Sequence, residues 1–133
     1  ILYLTDMQNG IIFSYDYETE TGQIKNKKEL IRIPKEVGIP DGLTVDGEGF
    51  IWSAQHGFRV VRYDPDGKIE REIEVPVELV TCITFGGEQM NELFITSAWW
   101  GFDDLKKTLQ PQAGDIFRLK TDITGIIEPA FEG

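Results

Sequence analysis

The chain has 133 residues, 41% of them hydrophobic, enough for one ordinary domain with a buried core. Its formal charge is −10, from 23 acidic against 13 basic side chains. That balance excludes nucleic acid and anionic membranes as partners, because both recruit proteins through cationic contacts.

In chain order the sequence is a run of short apolar segments broken by Gly, Asp and Pro, with no long helical period. Leu2–Asp6, Ile11–Tyr15 and the stretch after Gly22-Gln23-Ile24 read as three strands. Ile39 to Val75 reads as strand, turn, strand, loop, strand, turn, strand: Asp41–Val45, Phe50–Ala54, Arg59–Tyr63 and Lys68–Val75. A third unit follows with Thr81–Phe85, Leu93–Ser97 and Asp115–Leu119, and a fourth strand is expected from Gly125-Ile126-Ile127. The units align with one another: Phe50–Ala54 with Leu93–Ser97 and Leu2–Asp6, and Arg59–Tyr63 with Asp115–Leu119 and Ile11–Tyr15. Four strands per unit, repeated about every 40 residues, is the signature of propeller blades.

The blades are expected at 1–38, 39–79 and 80–133 of a single domain. The first lacks its innermost strand, and an uncovered sheet edge is a liability that stable domains avoid. Propellers close with four or more blades. The reading therefore places an N-terminal portion of the domain outside this chain. No apolar run approaches the roughly 20 residues that span a bilayer. One cysteine, Cys82, excludes an internal disulfide and fits a reducing, cytoplasmic setting.

Strands alternate in direction, so the acidic residues sort to two ends. Asp46-Gly47-Glu48-Gly49 and Asp64-Pro65-Asp66-Gly67 lie at one end and read as tight turns, not calcium loops, because no closing Glu stands at EF-hand spacing. Asp41 and Thr81 open successive inner strands at the opposite end and are expected to face the central channel. Asp41 follows Pro40 and precedes Gly42, so it has two readings: a cap on a turn, or a functional carboxylate. Cys82, one residue on from Thr81, is expected to point away into the sheet packing.

Other residues gather at the Asp41 end. Asp6 closes a strand there and either lines the pocket or satisfies loop amides. His56 lies in the loop Gln55–Phe58. It is the one histidine, so no Ser-His-Asp or Cys-His pair is complete within the chain. Its readings are a hydrogen bond to substrate or a packing role. The insertion Ala98–Ala113 is long for a blade loop, with a short helix expected at Asp103–Thr108. Trp99, Trp100 and Phe102 within it either stack on a sugar ring or cover the flank of the blade.

Ile39–Trp52, Arg59–Gly67, Thr81–Gly87 and Leu93–Ser97 together resemble the SMP-30/gluconolactonase/regucalcin-like family, and Pro111–Phe117 resembles the entry to its final blade. The Pro40-Asp41-Gly42 and Phe85-Gly86-Gly87 segments, in this order, carry the resemblance. It implies an all-β, six-bladed β-propeller, of which this chain supplies roughly the last three blades. It also implies one divalent metal ion (calcium, zinc, manganese or magnesium) in the channel. Of the family's three protein ligands only the Asp maps here, onto Asp41; the Glu and the Asn fall upstream. The activity implied is hydrolysis of a small-molecule lactone of sugar type, with Asp41 as metal ligand and second as general base. Thr81, His56, Trp99, Trp100 and Asp6 are candidates for contact with substrate. A calcium-binding regulatory propeller without catalysis, a phosphotriesterase-like relative and an interaction propeller are the alternatives.

Overall fold

The structure is a computed structural model and describes residues 1–128 and 130. Ten strands form three antiparallel sheets. The first sheet holds β1 (Leu2–Asp6), β2 (Ile11–Tyr17) and β3 (Ile24–Arg32), in chain order. The second holds β4 (Ile39–Val45), β5 (Ile51–His56), β6 (Arg59–Tyr63) and β7 (Ile69–Glu74). The third holds β8 (Leu79–Gly86), β9 (Glu92–Ala98) and β10 (Ile116–Lys120), with a short helix α1 (Asp104–Leu109) between the last two.

The middle sheet is covered on both faces. Ile51, Val61 and Tyr63 turn one way and meet Ile12, Ile31 and Ile33 of the first sheet's side. Trp52, Ala54 and Val60 turn the other way and meet Val80, Ile83, Phe85, Leu93 and Ile95 of the third. A strand apolar on both sides needs a continuous hydrophobic run, which is why Ile51-Trp52-Ser53-Ala54 does not alternate. Trp52 meets Phe85 edge-to-face, with ring centroids 5.7 Å apart.

Three sequence expectations change. First, β5 runs two residues past Ala54, and the expected four-residue loop shrinks to Gly57-Phe58, both at positive φ, 111° and 66°. That is the backbone a two-residue hairpin requires. Second, Gly125–Ile127 forms no strand. Gly125 instead bridges Asp46, the Thr124 carbonyl accepts from Gly47 N at 2.8 Å, and the Gly125 amide donates to the Met90 carbonyl at 2.7 Å. Ile123, buried on the core, draws this segment across the end of the sheets. Third, α1 begins at Asp104, because Asp103 is its N-cap and accepts from Lys106 N at 2.8 Å.

The two inner strands share a bulge. Pro40 pairs with Gln55 and Leu43 with Ser53, so Asp41 and Gly42 together oppose Ala54. Val80 pairs with Ser97 and Cys82 with Thr96, so Thr81 is the extra residue of β8. The bulge reverses side-chain parity. Cys82 is therefore exposed, not packed inside as alternation alone predicts, and Ile83 and Phe85 take the buried face.

Candidate functional site

Asp41 does not cap a turn. It stands inside β4, an edge strand of its sheet, where Pro40 is tolerated without breaking a ladder. Gly42 has a packing role: a Cβ there would lie 2.8 Å from Cys82 Cα and 2.6 Å from Cys82 Sγ. The glycine thus lets β4 approach β8 closely, and the bulge turns the Asp41 carboxylate to the half-open side, 35% exposed. Its near neighbour is His56, whose Nε2 lies 3.4 Å from Asp41 Oδ2.

His56 closes β5 opposite Ile39. Its side chain is 19% exposed, and Nε2 is buried without a hydrogen-bond partner. A hollow of ≈ 290 Å³ beside it is lined by Lys35–Ile39, Gly57, Phe58 and Glu78. Gln55, next to it, is fully buried: it accepts from Arg59 Nε and Nη2 at 3.0 and 2.7 Å and donates to Tyr63 Oη at 2.8 Å. Burial raises the Tyr63 pKa, with Gln55 opposing it.

Thr81 shares a 2.8 Å hydrogen bond with Thr96, so its hydroxyl is engaged across the strands. Asp6 serves its own hairpin: it accepts from Asn9 N at 3.1 Å and Asn9 Nδ2 at 2.9 Å. The Asn9 side chain and amide hold the Asp6 carboxyl below the ordinary carboxylate range. Of the two readings open to Asp6, amide satisfaction is the one seen.

The insertion divides its aromatics. Phe102 is buried, under Lys106 Nζ at 4.4 Å. Trp99 is half exposed, seated on Gly114 and covered by Lys107 Nζ at 4.8 Å. Trp100 is 85% exposed. Both tryptophans line a hollow of ≈ 340 Å³ with Ser97, Ala98 and Gly114.

Glu78 carries no motif, and no sequence signal points to it, yet it joins these parts. Its carbonyl accepts from Gly57 N at 2.8 Å. Its amide donates to Gln110 Oε1 at 2.7 Å, and its carboxylate meets Lys106 Nζ at 2.6 Å.

At the other end, Asp46 and Arg62 form a buried ion pair that sequence reading missed. Arg62 Nε donates to Asp46 Oδ2 at 2.8 Å and Trp52 Nε1 to the same oxygen at 2.7 Å. Asp46 Oδ1 accepts from Glu48 N and Phe50 N, closing the turn read from the sequence. Burial works to lower the Arg62 pKa, but the hydrogen bonds its guanidinium donates to Glu48, Asp46 and Glu70 outweigh it and the net shift is upward.

A family model described as the SMP-30/gluconolactonase/LRE-like region matches residues 1–99. The chain belongs to this family. Regucalcin of Xenopus laevis is 36% identical over 135 residues, covering 99% of this chain and 45% of that protein. A calcium-binding regucalcin of Agrobacterium tumefaciens superposes with a TM-score of 0.90 at 32% identity, over 96% of this chain and 44% of its own. A luciferin-regenerating enzyme superposes at 0.83 and 32% identity, over 93% and 42%. The three antiparallel sheets are thus part of the SMP-30 β-propeller fold, and the chain spans about half the length of the relatives it matches.

Membership in the SMP-30 family raises the question of a metal. Among the described residues no three His, Cys, Asp or Glu side chains converge as ligands. Asp41 fits one position of such a site: a hard oxygen donor, partly open, with no lysine or arginine pairing it. One carboxylate does not hold a dilute ion, so the set present fits a fraction of a site. No helix among the described residues is long and apolar enough to cross a membrane.

Proposed function

We propose that the intact protein is a divalent-metal-dependent hydrolase of sugar-type lactones, built as a six-bladed propeller of which this chain forms roughly the last three blades. Asp41 carries the reading. A carboxylate held at a strand bulge, partly open and with no lysine or arginine paired to it among the described residues, is suited to take a cation. The remaining ligands come from the rest of the domain.

A bound divalent ion supplies Lewis-acid polarisation of the lactone carbonyl and eases ionisation of the attacking water. Asp41 would be one ligand of the ion, and its carboxylate could also serve as the base for the attacking water. The exposed Trp100 and half-exposed Trp99 offer ring faces for the apolar side of a sugar. Thr81, tied to Thr96, contributes a fixed hydroxyl at the rim.

A second reading rests on the Agrobacterium relative, which is described as calcium-binding: a propeller that holds calcium without turnover. One experiment separates the two. The intact protein is assayed on a panel of aldonolactones after chelation, then with calcium, zinc, manganese or magnesium restored. Metal-restored turnover that Asp41→Asn abolishes supports the hydrolase. Metal binding lost in Asp41→Asn, with no turnover under any condition, supports the second reading.

A further inference from the structure

His56 is the one histidine of the chain, and its backbone is fixed on three sides. It pairs with Ile39 in the β4–β5 ladder. Its carbonyl lies where a Cβ on Gly38, the residue just before β4, would approach to 2.8 Å, so the backbone there is closely packed. The hairpin that follows is tied to the Glu78 carbonyl through Gly57 N. A side chain on so constrained a backbone has little freedom to choose its neighbour. The imidazole is 19% exposed, but Nε2 itself is excluded from solvent and finds no hydrogen-bond partner. Buried polar atoms in native proteins are nearly always paired. The Asp41 carboxylate lies 3.4 Å away without making a hydrogen bond to it. Hydrogen bonds that serve a reaction are often long or poorly aligned before the ligand arrives, and tighten when it does. Carboxylates that bind metals are themselves commonly held by hydrogen bonds from a second residue.

We propose that His56 is a positioning residue for Asp41. Donating from Nε2 to Oδ2, it fixes the carboxylate plane and leaves Oδ1 to the cation. This rests on the reading of Asp41 as a metal ligand. Asp41 comes from a bulged edge strand, and a bulge sets its direction less firmly than a regular ladder does. The histidine supplies the missing constraint from the neighbouring strand.

The test is titration of the intact protein with Mn2+ alone, by calorimetry and by the electron paramagnetic resonance spectrum of the bound ion. His56→Phe fills the space and removes the donor; it is expected to weaken Mn2+ binding about 10- to 100-fold and to broaden the spectrum. His56→Gln restores an N–H donor and is expected to recover most of the affinity. His56→Met replaces the Phe variant if that protein does not fold. Wild-type affinity in the Phe and Met variants overturns the proposal. So does a Gln variant as weak as the Phe variant, because that result reports shape and not the hydrogen bond. The underlying reading fails separately: then wild type binds no Mn2+, or Asp41→Ala binds it as tightly as wild type.

Discussion

Replacing Asp46 by Ala removes the one fully buried carboxylate of the middle sheet. The side chain accepts from two amides, from the Trp52 indole and from the Arg62 guanidinium, all between 2.7 and 3.0 Å. Its loss leaves Trp52 Nε1 and Arg62 Nε without partners inside the protein, and Arg62 is 3% exposed. Breaking one side of a buried pair costs about 3–5 kcal/mol. Arg62 keeps Glu48 at 2.5 Å and Glu70 at 3.1 Å, both partly exposed and so weak substitutes, which places the expected loss near the lower bound, about 3 kcal/mol. That is a large share of the roughly 5–15 kcal/mol that holds a domain. The assay is urea unfolding of the intact protein, read as a shift in midpoint at constant slope. Asp64→Ala is the control: Asp64 accepts from Asp66 N and Lys68 N in an equivalent turn but meets neither Trp nor Arg. A loss below about 1 kcal/mol for Asp46→Ala, or an equal loss for Asp64→Ala, refutes the claim that burial of the pair sets the cost.

Three further outcomes follow from the geometry. Gly42→Ala forces a Cβ against the Cys82 backbone, so it should destabilise by about 1–3 kcal/mol in the same unfolding assay and weaken metal binding through Asp41. Trp100→Ala should leave the melting temperature unchanged and raise KM for a sugar lactone about two- to tenfold, the worth of one ring stack, in steady-state kinetics. Arg118 holds the Glu92 carboxyl below the ordinary glutamate range by hydrogen bonding to it. A lowered folded-state pKa stabilises above the unfolded value and is lost as pH falls through the folded one. Glu92→Gln should therefore lower stability near neutrality, leave it unchanged at the acid end where the carboxyl is protonated in any case, and flatten the acid limb between.

Much of the fold was legible because strand chemistry is local. Arg59–Tyr63 was delimited from the sequence with the bounds that β6 shows, since Asp64-Pro65-Asp66-Gly67 marks its end as turn chemistry. The ends of β5 were harder: nothing in Gln55-His56 announces that the ladder continues. The two bulges were invisible, because the extra residue at Thr81 or Asp41 is set by how closely neighbouring sheets approach, not by local propensity. Cys82 was misplaced for that reason. Asp41 was singled out from its Pro-Asp-Gly setting, yet its apposition to His56 at 3.4 Å depends on the bulge and could not be read. The Asp46–Arg62 pair was hidden behind an ordinary turn motif, since its members stand sixteen positions apart with the whole of β5 between them.

The crossing made by Ile123, Thr124 and Gly125 bears on how the chain comes apart. It seats Ile123 in the core shared by the second and third sheets, and it bonds to Gly47 of one and to Met90 beside the other. Opening either sheet at this end therefore means detaching the same strap. The amides of Gly47 and Gly125 should exchange with deuterium as one cooperative unit, although nearly eighty residues separate them. The late segment acts as a clasp between two sheets that were both complete in sequence before it.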